Sequence, residues 1–220
     1  SDENISLIEI NCETDSVAKN EDFIKFSKEI LEISFTQKSD LEKINKSKMK
    51  NNSTVESALT DLIAKMGEKI TIRRSIFYSN KDVNNYFYIH NSVGKNIGKI
   101  VSLVKLNKND NNNKELGKKI AMHISALSPL AIDKDGIKKE IIDKEMEIIK
   151  AELTNSGKPK DIIEKISKGK INKFISDNTL LNQIWIMDPK KKVSDILKES
   201  SENKELKILD FIRYKVGEGV

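Results

Sequence analysis

A threonine and an aspartate stand side by side where an apolar run ends. Ile5 to Ile10 leads through Asn11-Cys12-Glu13 to Thr14-Asp15, and an amphipathic stretch opens at Ser16-Val17-Ala18-Lys19. A strand therefore hands over to a helix in an exposed turn that presents a hydroxyl and a carboxylate outward. The pair has a plain structural use, because Thr is a good N-cap and an acid is favoured at the positive end of a helix. Its chemical use would be contact with a polar or charged group of a partner. The remaining inventory is thin. One cysteine and two histidines are too few for a Cys/His zinc site. A single cysteine, Cys12, excludes an internal disulfide and fits a reducing compartment. No Gly-rich phosphate loop, nucleophile elbow or His-Glu metal motif occurs, so the common hydrolase and transferase signatures are missing. No cofactor and no metal site are expected. His123 lies on an apolar helical stripe and reads as a core histidine, while Ile97-Gly98 reads as a bulge or turn leading into a strand.

The chain of 220 residues, 37% hydrophobic and 33% charged, is long enough to pack a core in one large domain or two small ones. It has no run of about 18 apolar residues, so no membrane span is expected. Residues 1–4 are polar and the apolar run after them is only a strand long, which does not read as a signal peptide. Net charge is +5 and the pI is ≈ 9.0. Acids and bases are interspersed, so the excess would favour an acidic partner surface or weak RNA contact without demanding either. A basic RNA- or ribosome-binding module is the rival function class, but it would need an aromatic stacking platform or clustered Arg, and both are scarce. Lys190-Lys191-Lys192 reads as a solvated loop. The Asn-x-Ser/Thr sequons at Asn4, Asn45, Asn51 and Asn52 are expected by chance in so Lys/Asn-rich a chain.

The elements that must position the turn follow from periodicity. Ile5–Asn11 alternates as a strand, and Thr14 caps a helix to about Phe35 with the stripe Phe23, Phe26, Ile30 and Ile33. Residues 36–53 read as a polar loop. A short helix, Val55–Met66, follows Ser53-Thr54 and stops before Gly67. Strand signals occupy Ile70–Tyr78, Tyr86–His90 and Ile97–Leu106, giving β-α-α-β-β-β with a mostly antiparallel sheet. Residues 107–114 are the best linker. Beyond it, a helix over Glu115–Leu127 ends at Ser128-Pro129, and helices over about 135–155 and 159–175 meet at Gly157-Lys158-Pro159. The seam Ile142, Met146, Ile149 and Leu153 on the first of that pair, with Ile163, Ile166, Ile171 and Phe174 on the second, predicts a protruding antiparallel helical hairpin, a short coiled coil. A strand over Gln183–Met187, a helix over Val193–Lys198 and a last strand over Leu206–Val216 complete the chain. The expected class is α+β, with an N-terminal subdomain over 1–106 and a C-terminal subdomain over 115–220 that includes the hairpin at about 135–175.

Seven ordered segments resemble the elongation factor Ts family. The segment Ile8 to Phe23 resembles its signature, in which Asn11-Cys12-Glu13-Thr14-Asp15 is followed by Phe-Val-Ala; here Ser16 stands where the family has Phe. Glu68 to Arg74, Tyr88-Ile89-His90 and Lys95 to Val101 are similar to its next strands. Ile120-Ala121-Met122-His123-Ile124-Ser125-Ala126 resembles its Ala-Met-His-Ile-Ala-Ala motif. Ser156-Gly157-Lys158-Pro159 resembles its hairpin tip, and Phe211 to Gly219 its closing strand. The resemblance starts after the family's small N-terminal ubiquitin-associated-like domain, so the chain is expected to be the core region.

That resemblance implies a function without catalysis of bond making. The family exchanges guanine nucleotide on elongation factor Tu during translation elongation, binding both the GDP-bound and the nucleotide-free form. Thr14, Asp15, Ser16 and Val17 would form the turn that is pushed against the GTPase and helps dislodge its Mg²⁺. Ala18, Ile97, Gly98 and His123 would lie at the partner surface. A Mg²⁺-bound diphosphate is held by charge, so displacing the metal removes much of the grip. Neither nucleic acid nor membrane is required. A serine at position 16 cannot fill a pocket built for Phe, which would weaken that wedge by ~1.5–3 kcal/mol. Asn runs at 51–52, 84–85 and 111–113 suggest an AT-rich eukaryote, where such a factor would serve a plastid or mitochondrion; the alternative is a bacterial cytoplasm.

Overall fold

A computed structural model describes residues 4–79, 84–107, 113–200 and 205–219. Helices and short strands are mixed, as the switching periodicity requires, and the fold is α+β. The chain divides into two compact units, Ser1–Leu103 with Ile212–Val220, and Val104–Phe211.

In the first unit β1 (Asn4–Asn11) pairs antiparallel with β2 (Thr71–Ser79), with a register shift between Glu9 and Ile10. Between them lie α1 (Asp15–Ala18), α2 (Glu21–Thr36), α3 (Leu41–Lys46) and α4 (Val55–Met66). The single helix expected from Thr14 to Phe35 is broken at Lys19-Asn20. Asn20 takes an extended backbone and accepts a hydrogen bond from the Asp22 N–H, so α2 starts afresh. Asn caps helices well and sits poorly inside them, and here the cap outweighs continuity. The stretch 36–53, expected to be loop, contains α3. Asp40 caps it by accepting from the Lys43 N–H, and the reason for it is one fully buried side chain, Ile44. A single buried residue in six leaves no periodicity to read. The expected α4 is present, capped by Thr54 and closed by Gly67 at φ 72, the left-handed region that favours glycine. Phe23, Phe26 and Ile30 of α2 form one core with Ile44, Val55, Leu62 and Ile70.

The strands of the first half do not make one sheet, contrary to expectation. β3 (Asn84–Gly94) and β4 (Ile97–Leu106) join β5 (Ile208–Lys215) in a separate three-stranded sheet of order β3-β4-β5. The Val216 N–H donates to the Lys99 carbonyl at 3.0 Å and the Asn107 N–H to the Lys207 carbonyl at 3.1 Å, which sets β4 and β5 antiparallel. The division between the units falls inside these two strands. Of the expected linker 107–114, residues 108–112 lie outside the described residues.

A buried carboxylate ties the chain's last turn to β1 and β2. Glu9 is 3% exposed. It accepts from Arg73 at 3.0 Å, from the Arg74 Nε, and from the Gly217 N–H at 3.3 Å. Arg73 also donates to the carbonyls of Glu218 at 2.7 Å and Gly219 at 3.1 Å. The Arg74 guanidinium lies 3.9 Å over the Tyr214 ring, a cation–π contact. Burial pushes the Glu9 pKa up, but the two Arg hydrogen bonds, the Arg74 charge and the Gly217 N–H outweigh it and hold the carboxyl below its ordinary range.

In the second unit, α5 (Asn113–Leu127) is followed by a 3-10 turn at Lys134–Gly136, then α6 (Lys139–Thr154), α7 (Lys160–Asn178) and α8 (Val193–Glu199). α6 packs on α7 along the seam read from the sequence: Ile149, Leu153, Ile171 and Ile175 are buried, with Met146 and Phe174 beside them. The strand expected over Gln183–Met187 is absent. Its alternation is real, since Trp185 is buried between exposed Ile184 and Ile186. Among the described residues no strand pairs with it, however, and Ile184 makes just an isolated bridge to Lys192. Alternation records which side chains face inward; it does not supply an edge to pair with.

Candidate partner-binding site

The β1–α1 turn is held by reciprocal carboxylate clamps. Thr14 is extended at φ -123, and its Oγ1 accepts from the Val17 N–H at 3.3 Å. The same hydroxyl donates to Glu68 Oε2 at 2.9 Å. Glu68 Oε1 accepts from the backbone N–H groups of Glu13 and Thr14, each at 3.2 Å. Glu13 returns the contact, accepting from the Lys69 N–H at 3.2 Å. Val17 is 8% exposed and sits in the core, anchoring the turn from beneath, whereas Thr14, Asp15 and Ser16 face solvent. Cys12 is close by, its thiol 3.5 Å from the Thr14 carbonyl. Burial and the charges of Glu68 and Asp15 push its pKa up, which favours the thiol over the reactive thiolate.

Asp15 reaches across to β4. Its Oδ1 lies 2.7 Å from Lys99 Nζ, and the hydrogen bond and charge of Lys99 lower its pKa. A cleft of ≈ 740 Å³ opens beside this pair, and Thr14, Asp15, Ala18, Ile97, Gly98 and Lys99 all line it. Five of the eight residues singled out from the sequence therefore border one feature of the first unit. Gly98 is there for steric reasons. A Cβ at this position would lie 2.3 Å from Ile89 Cγ2 and 2.7 Å from the His90 carbonyl oxygen, so β3 presses on bare backbone.

His123 belongs to the second unit and is fully buried. Its Nε2 lies 3.0 Å from Gln183 Oε1, and its Nδ1 accepts from the Ile186 N–H at 3.4 Å. Gln183 Nε2 donates to the carbonyls of Leu127 and Asp177, so its Oε1 is free to accept and the His123 proton sits on Nε2. The ring stacks on Trp185 at 5.2 Å and 18°. Burial pushes its pKa down, the Gln183 hydrogen bond notwithstanding, and the imidazole is neutral near pH 7. Sequence reading missed Glu68, Lys99, Gln183 and Trp185. Each acts through a contact distant in the chain, and none carries a local signal.

Among the described residues no group of three or more His, Cys, Asp or Glu could hold a metal ion, and no helix is long and apolar enough to cross a membrane. The site offers a pinned polar turn and an apolar cleft, which are means of contact. The family model described as elongation factor TS matches residues 13–218. Elongation factor Ts of Methylococcus capsulatus is 38% identical over 216 residues, 98% of this chain and 69% of that protein. Those of Legionella pneumophila and Acinetobacter baylyi are 38% and 35% identical, each over 97% of this chain and 69% and 68% of their own length. The protein is a translation elongation factor that acts by binding rather than as an enzyme. The chain belongs to the elongation factor Ts family.

Proposed function

We propose that this chain promotes release of GDP from elongation factor Tu, with the Thr14-Asp15-Ser16 turn pressed toward the Mg²⁺ and phosphate site of the GTPase. What carries the reading is the convergence of Thr14, Asp15, Ala18, Ile97 and Gly98 on one cleft. Asp15 supplies charge and hydrogen bonding, and Val17 supports the turn from the core. Ile97 and Gly98 offer a tight backbone surface beside it. His123 serves the partner surface through the segment it holds: Ile186, whose N–H donates to its Nδ1, is 38% exposed. The pair α6–α7 is a helical hairpin that acts as an interaction arm apart from exchange. The relatives named above are bacterial, which favours a bacterial cytoplasm over an organelle.

Exchange requires differential affinity, because a ligand that binds two states equally shifts nothing. Calorimetric titration of this chain into nucleotide-free and GDP-bound elongation factor Tu tests the reading. The empty form should bind at least about 100-fold more tightly, a coupling of ~2.7 kcal/mol. Equal affinity for the two forms would make the chain a binding partner without exchange power.

A further inference from the structure

We propose that Glu68 is a positioning residue for nucleotide exchange, fixing the Thr14-Asp15 turn before the GTPase arrives. The inference rests on the exchange reading above and adds a residue to it. One carboxylate takes three hydrogen bonds from the turn: the N–H groups of Glu13 and Thr14 on Oε1 and the Thr14 hydroxyl on Oε2. Its own placement is rigid. On one side Gly67, at φ 72, closes α4. On the other, Ile70 is 2% exposed in the core, and the Lys69 N–H is bound by Glu13. Glu68 thus transmits the position of α4 and β2 to an exposed segment 54 residues earlier in the chain.

The clamp also assigns the roles of the two polar side chains in the turn. The Thr14 hydroxyl gives its proton to Glu68 and accepts from the Val17 N–H, so it is spent on geometry. Asp15, exposed and paired among the described residues with the long, flexible Lys99, is the group left to meet the partner. Ordering a loop during binding weakens binding, and ordering it beforehand removes that loss. Without Glu68 two backbone N–H groups lose their acceptor, and the turn must be ordered by the GTPase.

The test is GDP release as a function of factor concentration for wild type, Glu68→Ala and Glu68→Gln, with amide hydrogen exchange on the free proteins. Glu68→Ala should raise the half-saturating concentration about tenfold and change the rate at saturation less than about twofold. Protection at Glu13 and Thr14 should fall while cooperative melting is retained. Glu68→Gln should stay within about threefold of wild type, because an amide oxygen still accepts both N–H groups and its NH₂ can reach the Thr14 oxygen. Wild-type concentration dependence in Glu68→Ala, or equal defects in the Ala and Gln variants, would overturn the proposal and leave the exchange reading standing. Unchanged amide protection in Glu68→Ala would overturn it whether or not the wild type exchanges nucleotide.

Discussion

Glu9→Ala is expected to lower the unfolding free energy by about 3 kcal/mol, the low end of what breaking a buried ion pair costs. The Glu9 side chain is 2% exposed, but Arg73 and Arg74 are 21% and 35% exposed, so water relieves part of the loss. The substitution leaves Arg73, Arg74 and the Gly217 N–H without their shared acceptor and loosens the closing Gly-Glu-Gly turn. Urea unfolding of wild type, Glu9→Ala and Glu9→Gln would measure it, with Gln falling in between. The difference depends on pH in a defined sense. A carboxyl with a lowered folded pKa contributes stability that is fully present above its unfolded value, near 4.5, and is lost as pH falls through the lower folded value. The gap between wild type and Glu9→Gln should therefore be constant near neutrality and close in acid. Equal midpoints for wild type and Glu9→Ala at pH 7 would remove Glu9 from the account of what holds the last turn.

Asp15→Ala is expected to slow GDP release at least about tenfold, the scale of losing one hydrogen bond to a charged group in the complex. Its fold should survive, because the side chain is 72% exposed and its ion pair with Lys99 is of the exposed kind that contributes little. Ser16→Phe acts in the opposite direction. With an elongation factor Tu whose pocket accepts Phe, the added apolar burial should tighten binding by ~1.5–3 kcal/mol. With the cognate partner the same change should bring no gain if that pocket is shaped to serine. Stopped-flow release of a fluorescent GDP from both partners separates the cases. Identical rates for wild type, Asp15→Ala and Ser16→Phe would reduce the turn to a helix cap.

What was legible in the sequence was local. Thr54 before a twelve-residue periodic stretch and Gly67 after it define α4 to the residue, and the apolar seams of α6 and α7 are legible because 3.6-residue spacing persists over several turns. Thr14 reads as a cap, and its oxygen accepts from the Val17 N–H. The break at Asn20 was missed because one cap inside a long amphipathic run changes no periodicity. The pairing of β5 with β4 was missed because strand signals carry no address, and residues 99 and 216 are joined only by the fold. The site divided in the same way. Asp15 was visible as a residue type beside a helix start, whereas Lys99 and Glu68, which hold the turn, are ordinary charged residues until the chain brings them to it. His123 shows the limit of a motif: the apolar stripe correctly gave a buried ring, but its Gln183 and Trp185 partners lie 60 residues or more away.

The most direct measurement is the release of labelled GDP from elongation factor Tu in the presence of substoichiometric amounts of this chain. The exchange reading predicts release faster than the spontaneous rate by orders of magnitude, with one molecule of the chain serving many molecules of the GTPase. Release at the spontaneous rate, even with the folded chain in excess, would contradict it.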